Sequence, residues 1–379
     1  MNSPIRFEIR ATDGAARCGT LITSHGSLTT PAFMPVGTRA TVKAMSPDEL
    51  GAMGYRLILA NAYHLALRPG AELIEKMGGL AQFMGFKGAV LTDSGGFQAM
   101  SLARISSIGL DGINFRSHVD GSTLMLTPET AVQIQEKLGA DIMMALDECT
   151  PYPVDYHRAE SSLELTARWA QRCIAARRNP TQALFGIVQG SIFSDLRCRS
   201  ARQITALPFD GFAVGGLSVG EPKSAMLEMA ALSASMLPAD RPRYLMGVGT
   251  PADILAAIAM GFDLFDCVMP TRNGRNGCAF TSEGRISIKQ AIYARDPRPL
   301  DPRCDCRPCQ HFSRAYLRHL YMAGEILAAR ALTEHNLFFY SRLMQEAQAA
   351  IASQTYQAFA TYLLNRLNQS NDRADGFET

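Results

Sequence analysis

Eight short apolar segments, separated by stretches of helical periodicity, limit what this chain can fold into more than any other feature. Each segment has the length of one buried strand, and the intervening stretches are long enough to cross back over a sheet. Eight strand–helix units are the number in a (β/α)8 barrel, also called a TIM barrel. The segments span residues 33–37, 57–61, 89–93, 142–147, 185–189, 212–216, 244–248 and 263–267. The predicted fold class is therefore α/β, with a barrel at its centre.

The helical stretches carry start and stop signals that support this alternation. The sequence Ser46-Pro47-Asp48-Glu49 offers an N-cap, a proline at the first helical position and the acidic residue of a capping box. Thr127-Pro128 and Thr250-Pro251 repeat the first two of these signals, and Gly139 suits a helix C-terminus. We expect helices to begin at these three positions.

The regions on either side of the barrel segments have a different character. Turn signals at Asp13-Gly14 and His25-Gly26 separate short alternating runs, which indicates a small antiparallel element. Residues 296–311 are rich in Pro, Cys and Arg and resemble an insertion. We therefore divide the chain into an N-terminal antiparallel element (1–32), a (β/α)8 barrel region (33–295), a small inserted subdomain near the C-terminus (296–345), and a C-terminal helix and tail (346–379).

Composition narrows the class of protein. The chain of 379 residues is 47% hydrophobic and 19% charged, which is ordinary for a globular protein. No run of about 18 apolar residues predicts a membrane span, and the first residues lack the pattern of a secretory signal. We therefore expect a cytoplasmic protein with no membrane partner. The nine cysteines are an odd number in a long chain, so reduced thiols or metal ligands are expected instead of a disulfide framework.

Positive charge is concentrated in one part of the chain. The net charge is only +2, but residues 271–320 carry ten Arg and Lys against four Asp and Glu. The remainder of the chain is therefore slightly acidic. A local excess of this kind indicates a surface for an anionic polymer such as a nucleic acid.

Three of the cysteines form a compact candidate metal site. Cys304, Cys306 and Cys309 have C-x-C-x2-C spacing, and thiolates suit tetrahedral zinc. A fourth ligand is needed, and the downstream candidates are His311, His319 and His335. Four protein ligands would close the site, which is typical of structural and not of catalytic zinc.

Five of the apolar segments end in or next to a polar residue, and these residues predict the location of an active site. They are Asn61, Asp93, Asp147, Gln189 and Asp266. In a barrel these positions converge at the C-terminal face, where active sites are built, although each residue by itself could be a turn residue or a helix cap. Two carboxylates on one face suit retaining glycosyl transfer, in which one attacks the anomeric carbon and the other moves protons. A third carboxylate and an amide could read the edge of a guanine.

The surroundings of two of these carboxylates point to the same chemistry. Asp93 is followed by a glycine turn and Phe97, which could stack on a flat ligand. Asp266 is followed by what we interpret as a loop bearing Arg272 and Arg275, residues that suit phosphates or base edges. Cys267 is more typical of a small buried neighbour than of a nucleophile, because no histidine lies nearby in the sequence.

Taken together, the motifs resemble those of the bacterial tRNA-guanine transglycosylases over nearly the whole chain. The matching motifs are FMPVGT (33–38), LTDSGGFQ (91–98), DECTP (147–151), GIVQG (186–190), AVGGL (213–217), YLMGVG (244–249), the segment around Asp266, the cysteine cluster and TEHN (333–336). The resemblance implies a TIM barrel with a zinc subdomain. It implies exchange of the wobble guanine of tRNAs with a G-U-N anticodon for the queuosine precursor 7-aminomethyl-7-deazaguanine.

The resemblance also implies roles for individual residues. Asp266 would be the nucleophile of a covalent aspartyl-ribose intermediate, and Asp93 the general acid and base. Base binding would involve Asp93, Ser94, Gly95, Gly96, Asp147, Gln189, Gly216 and Leu217, with Phe97 and Met246 on either side of the ring and Glu221 supporting the Leu217 peptide. RNA contacts would involve Gly247, Val248, Gly249, Thr250, Pro251, Ala252, Asp253, Thr271, Arg272, Asn273, Gly274 and Arg275. One structural Zn2+ per chain would be held by Cys304, Cys306, Cys309 and His335, and related enzymes form homodimers.

Two alternatives differ in substrate or in class. A relative that uses the full base queuine would need space that Val219 fills. A non-catalytic tRNA-binding partner subunit would be expected to lack one of the paired acids, and both are present in this sequence.

Overall fold

A computed structural model describes residues 3–101, 106–116 and 123–375. Its first three strands, β1 (Arg6–Asp13), β2 (Ala16–Thr23) and β3 (Gly26–Thr30), form an antiparallel sheet. The turns between them use Gly14 at φ +60° and Gly26 at φ +108°, in the left-handed region that favours glycine. The sheet lies at the N-terminal end of the barrel strands, where Arg17 and Ser24 contact aspartates that precede two of them.

Eight parallel strands follow in a single sheet, and their number agrees with the eight apolar segments. Barrel strands are β4 (Ala32–Met34), β5 (Leu57–Ala60), β6 (Ala89–Thr92), β10 (Ile142–Met144), β11 (Ala183–Val188), β12 (Gly211–Val214), β13 (Arg243–Leu245) and β14 (Leu264–Asp266). Between β6 and β10, the strands β7 (Ser106–Gly109), β8 (Gly112–Arg116) and β9 (Thr123–Leu126) form a separate antiparallel sheet.

The sheet closes on itself. Its strand order runs β4-β14-β13-β12-β11-β10-β6-β5, and the two end strands meet where the Gly37 N–H donates to the Leu59 carbonyl (2.6 Å) and the Leu59 N–H donates to the Pro35 carbonyl (3.0 Å). The predicted barrel is therefore confirmed. Its strands are buried on both faces, as expected when side chains fill the interior and helices cover the outside.

Ten helices of the described ranges lie around the barrel. They are α1 (Pro47–Ala52), α2 (Ala62–Leu67), α3 (Ala71–Lys76), α4 (Leu80–Met84), α5 (Gly96–Ser101), α6 (Pro128–Leu138), α7 (Tyr156–Ala176), α8 (Ser194–Thr205), α9 (Lys223–Met236) and α10 (Pro251–Ala259). Helices α1, α6 and α10 begin where the sequence signals place them. Ser46 and Glu49 form the predicted capping box, Thr127 and Thr250 are N-caps, and Gly139 ends α6 at φ +69°.

After the last barrel strand the chain adds a mostly helical region. It contains α11 (Met269–Arg275), β15 (Cys278–Thr281), β16 (Gly284–Ser287), a 3-10 helix (Ala291–Arg295), α12 (Arg307–His311), α13 (Arg314–Met322), α14 (Ile326–Ala352) and α15 (Tyr356–Asp375). Residues 376–379 of the predicted tail lie outside the described residues. Within the described ranges, no helix combines the length and apolar character needed to cross a membrane.

The interpretation of the segment after Asp266 as a loop is wrong, because most of it is helix α11. Pro270 stands in the first turn, and the Arg272 N–H donates to the Val268 carbonyl (2.8 Å). The helix is pressed against α14: a Cβ added to Gly274 would lie 2.7 Å from the backbone nitrogen of Thr333. This contact between segments distant in sequence stabilises a helix that asparagines and glycines do not favour locally.

Candidate active site and metal-binding group

A cavity of about 450 Å³ opens at the C-terminal ends of the barrel strands. The three aspartates singled out from the sequence, Asp93, Asp147 and Asp266, all line it. The other lining residues that the sequence predicts for the site are Ser94, Phe97, Gly216, Leu217, Met246 and Gly247. The barrel brings these residues together because they lie at or just beyond the C-terminal ends of five parallel strands, β6, β10, β12, β13 and β14.

Asp93 follows β6 and is held by neutral donors. Its Oδ2 accepts hydrogen bonds from Asn61 Nδ2 (2.5 Å) and Gln98 Nε2 (2.7 Å), and its Oδ1 accepts one from the Ala62 N–H (2.8 Å). Burial raises the pKa of Asp93 to about 6; the hydrogen bonds lower it, and the nearby charge of Asp266 raises it. A carboxyl with a pKa in this range can both donate and accept a proton near neutral pH.

Asp147 lies three residues beyond β10, next to Gln189 at the end of β11. Gln189 Nε2 donates to Asp147 Oδ2 (2.7 Å) and Ser94 Oγ donates to Oδ1 (3.1 Å). Burial raises the pKa of Asp147 to about 6, against the effect of these two hydrogen bonds. Gly96 passes close by, since a Cβ at this position would lie 2.5 Å from the Asp147 carbonyl oxygen. Gly95 and Gly96 are therefore glycines of the tight turn beside the cavity.

Asp266 ends β14 and is anchored through one of its two oxygens. The Tyr244 hydroxyl (2.6 Å) and the Gly247 N–H (2.8 Å) both donate to Oδ1. Among the described residues, Oδ2 accepts no hydrogen bond. Burial raises the pKa of Asp266, and the two donors lower it. The side chain thus has a fixed orientation and one oxygen available to react.

The segment after β12 presents backbone groups to the same cavity. Glu221 accepts hydrogen bonds from the backbone N–H groups of Ser218 and Val219, the latter at 2.9 Å. The C=O and N–H of a trans peptide point in opposite directions, so the Leu217 carbonyl points away from Glu221. Phe97 is 56% exposed at the cavity wall, where a planar ligand can reach its ring.

The residues predicted to contact RNA form two short segments, and one of these residues, Gly247, lines the cavity. Residues 247–253 connect β13 to α10, and residues 271–275 belong to α11. Arg272 is exposed and Arg275 is half-buried, whereas Thr271 and Gly274 are buried. The side chains of Arg272 and Arg275 can therefore reach a ligand, whereas Thr271 and Gly274 cannot.

A second cluster, which we term the metal-binding group, consists of Cys304, Cys306, Cys309 and His335. Their ligand atoms all lie within 4.8 Å of one another. The distances from His335 Nδ1 to the three sulfurs are 3.7, 3.4 and 3.3 Å. Tetrahedral zinc with ordinary bond lengths requires about 3.5 Å between a sulfur and a nitrogen ligand. The geometry of the group fits such an ion.

The choice among the three histidines is resolved by position on α14. His335 is fully buried, and its Nε2 donates to the Phe280 carbonyl (2.7 Å). This bond places the proton on Nε2 and leaves Nδ1 free as a ligand, which is the usual arrangement of a metal-bound histidine. His311 and His319 are not part of the group.

Comparison with known proteins identifies the family to which this sequence is similar. The sequence profile described as queuine tRNA-ribosyltransferase matches residues 12–369. A queuine tRNA-ribosyltransferase of Nitratidesulfovibrio vulgaris is 55% identical over 355 residues, which cover 93% of this chain and 95% of the relative. The enzyme of the same name from Geobacillus kaustophilus is 51% identical over 379 residues, covering 98% of this chain and 100% of the relative.

The chain belongs to the queuine tRNA-ribosyltransferase family. The predicted family resemblance is thereby confirmed, and with it the prediction of an enzyme of the transferase class.

Several residues that shape the site in this family member do not stand out in the sequence. Tyr244 orients Asp266 from within an apolar segment, where no local signal marks it. Gln98 holds Asp93 and is visible only as the last residue of a motif. Asn61, by contrast, is one of the five polar residues that the sequence predicts at the site, and it donates to Asp93.

Proposed function

We propose that this chain exchanges the wobble guanine of tRNAs with a G-U-N anticodon for 7-aminomethyl-7-deazaguanine, by double displacement through a covalent bond between Asp266 and the ribose. One observation supports this above all: Asp93, which is buried, and Asp266, which is half-buried, line the same cavity, and neither is paired with an Arg or Lys among the described residues. Two such carboxyl groups are what retaining glycosyl transfer requires.

In the first half-reaction, Asp266 Oδ2 attacks C1′ of the ribose. The bond from C1′ to N9 of guanine breaks, and the leaving base takes a proton from Asp93. In the second, the incoming 7-deazaguanine gives its N9 proton to Asp93, N9 attacks C1′, and the bond to Asp266 breaks. Asp93 is thus returned to its protonated form, and no further reactant is consumed.

The base is recognised along its polar edge. The Asp147 carboxylate accepts hydrogen bonds from the ring N–H and the exocyclic amine, and Gln189 and backbone groups of Gly216 and Leu217 bind the remaining polar atoms. The Leu217 carbonyl, directed away from Glu221, is an acceptor for the aminomethyl group. Phe97 and Met246 lie on either side of the ring. Ser94, Gly95 and Gly96 complete the base-binding turn.

The tRNA is bound by residues 247–253 and 271–275 around the cavity. Arg272 supports this role because its side chain is exposed, and a guanidinium can donate to phosphates and base edges.

We further propose that the metal-binding group holds one Zn2+ per chain. Bound there, the ion cross-links residues 304–309 to α14 and takes no part in base exchange, because four protein ligands leave no open position. Metal analysis of the purified protein should give one zinc per chain. We also propose the domain division at residues 32, 295 and 345, a homodimer and a cytoplasmic location, each from the family resemblance or composition.

The decisive experiment is exchange of radiolabelled guanine into unmodified tRNA with a G-U-N anticodon. We expect incorporation, and an RNA–protein adduct that survives denaturation. Asp266→Asn should give neither, and an adduct formed by this variant would overturn the proposed nucleophile. Binding of tRNA without incorporation by the wild type would favour a non-catalytic binding subunit. Separate measurements with 7-aminomethyl-7-deazaguanine and queuine decide the substrate, and a preference for queuine would contradict the proposal.

A further inference from the structure

One buried arginine beneath the base-binding segment is not used by the proposed reaction. Arg197 lies in the first turns of α8 and is 0% exposed. Its guanidinium donates to four backbone carbonyls: Nε to Ser191 (2.8 Å), Nη1 to Val188 (3.3 Å) and Gly215 (2.8 Å), and Nη2 to Gly216 (3.1 Å). It thus connects the ends of β11 and β12 just below the cavity.

Stability alone is a weak explanation for this arrangement. Among the described residues, Arg197 has no hydrogen bond to a carboxylate; it donates to neutral carbonyls, and the charge of Glu221 acts on it without a hydrogen bond. Removing a guanidinium from water is costly, and a well-packed apolar side chain would often serve stability as well. The rigid fork of five N–H donors is, however, suited to fixing several acceptors at once.

The contacts of Arg197 determine the direction of two successive peptide groups. The carbonyls of Gly215 and Gly216 both point towards the guanidinium. Because N–H and C=O point in opposite directions across a trans peptide, the N–H groups of Gly216 and Leu217 must both point away from it. Successive peptides of an extended strand would alternate instead, and Gly216 permits the exception because its φ is +64°.

The side facing away from Arg197 is the cavity. Gly216, Leu217 and Cys149 line it, whereas Arg197 does not. The Leu217 N–H has no hydrogen-bond partner among the described residues. Burial raises the pKa of Cys149 to about 12, while Arg197 and the Gly216 N–H act in the opposite direction, which agrees with a Gly216 N–H directed towards the cavity wall.

We infer that Arg197 is a positioning residue for base recognition: by holding the two carbonyls, it presents the Gly216 and Leu217 N–H groups as a preformed pair of donors for the carbonyl oxygen of the base. The inference rests on the proposed function for the identity of the ligand as a guanine or 7-deazaguanine. Preformed donors cost little reorganisation when the base binds.

Other contacts of α8 act on the same segment. Ser191, which accepts from Arg197 Nε, has φ +50°, a left-handed conformation unusual for serine. The Ser200 hydroxyl accepts the N–H of Gln189 (2.9 Å), whose side chain contacts Asp147. The first half of α8 therefore supports both strand ends that face the base.

The test compares a base that has the carbonyl oxygen proposed to bind the two N–H groups with a base that lacks it. Guanine has the carbonyl oxygen, and fluorescent 2-aminopurine lacks it. Arg197→Lys keeps the charge but concentrates its donors on one nitrogen, and Arg197→Gln is a second, neutral variant with two donors. Arg17→Lys is the matched control, because Arg17 is 4% exposed and also donates to two carbonyls, but at the opposite end of the barrel.

We expect Arg197→Lys to raise the KM for guanine roughly tenfold or more with a smaller change in kcat, as for loss of a charge-assisted arrangement of hydrogen bonds. Its affinity for 2-aminopurine, measured by fluorescence, should stay close to that of the wild type, and Arg17→Lys should change neither base. Equal weakening of both bases, or of neither, by the folded Arg197 variants would overturn the inference. Because fluorescence titration and displacement by guanine need no tRNA, a wild type that binds guanine but does not exchange it would refute the proposed function separately.

Discussion

The two ends of the barrel both bury aspartates, but they pair them differently. At the N-terminal end, Asp141, Asp210 and Asp263 each stand directly before a strand and accept the backbone N–H of a residue on a neighbouring strand. Each also contacts a basic side chain: His25 (2.9 Å), Arg177 (2.6 Å) and Arg17 (2.5 Å), respectively. At the C-terminal end, Asp93, Asp147 and Asp266 are held by amides, hydroxyls and backbone N–H groups.

The presence or absence of a basic partner distinguishes the aspartates that stabilise the barrel from those proposed to act on a substrate. At Asp263, burial raises the pKa of the carboxyl, and the hydrogen bond and charge of Arg17 oppose that effect. A buried carboxylate with only neutral donors has a raised pKa and can exchange a proton or form a bond. The N-terminal end therefore joins the strands to one another, whereas the C-terminal end presents carboxyl groups without cationic partners to a cavity, at the end where barrel enzymes have their active sites.

The largest expected effect is on activity at the C-terminal end. Asp93→Asn cannot accept the N9 proton of the incoming base, so guanine exchange should fall about 10²- to 10⁴-fold. The decline in rate as the pH rises above about 6 should disappear with it, because the first half-reaction uses the protonated form of Asp93 and the pKa of this carboxyl is raised to about 6. Radiolabelled exchange followed from about pH 5 to about pH 8 measures both the rate and this decline. An unchanged profile would assign the proton transfer to another group.

The next largest effect is on stability at the N-terminal end. Asp263→Asn leaves the Arg17 guanidinium buried without its carboxylate partner. The free energy of unfolding should fall by about 3–5 kcal/mol, the usual cost of breaking a buried pair. Urea denaturation measures this loss, and the exchange rate of the protein that remains folded should be unchanged. A loss of activity without a loss of stability would contradict the division between the two ends.

A smaller effect of opposite sign is expected for Asp147→Asn. The pKa of Asp147 is raised to about 6, so the folded protein holds this proton more tightly than the unfolded chain does. Wild-type stability therefore falls as the pH rises from about 4 to about 6 and remains lower above that range.

Asparagine does not ionise, so this variant should be more stable than the wild type by up to about 3 kcal/mol at about pH 8, with the gain absent near pH 4. Thermal unfolding at both values is the measurement. Guanine exchange should nevertheless decrease, because the carboxylate no longer accepts the two N–H groups of the base. A stability difference that does not depend on pH would show that ionisation is not its cause.

The smallest effect is expected for Tyr244→Phe. The variant removes one of the two hydrogen bonds to Asp266 Oδ1 and keeps the one from the Gly247 N–H. Exchange should slow about tenfold, which corresponds to one hydrogen bond to a charged group. Adduct formation followed over time measures this step, and Tyr55→Phe is a control because the Tyr55 hydroxyl bonds a carbonyl on α14. Equal slowing by both variants would indicate a general effect on the fold.

Much of the fold could be predicted from local patterns. Apolar runs reveal buried strands, and proline with a preceding Ser or Thr reveals helix starts, because both signals act within a few residues. The prediction of a loop after Asp266 was wrong because α11 is stabilised by a contact with α14, about 60 residues later in the chain. The sequence around Asp266 contains no signal for a contact at that distance. The cysteine spacing predicted a metal site, but only the packing of α14 places His335 and not His319 beside it.

The sequence by itself determined the number of barrel strands and the carboxylates that stand at their C-terminal ends, because strand and turn preferences depend on neighbouring residues. Only the tertiary structure decided which aspartates are paired and which remain reactive. Asp263 and Asp266 lie three residues apart, yet the first faces Arg17 and the second faces Tyr244 and the cavity. The charge state of a carboxyl group depends on its burial and on the groups that other strands bring into contact with it. These groups are 22 to 246 residues away in the sequence, so a local sequence pattern cannot identify them.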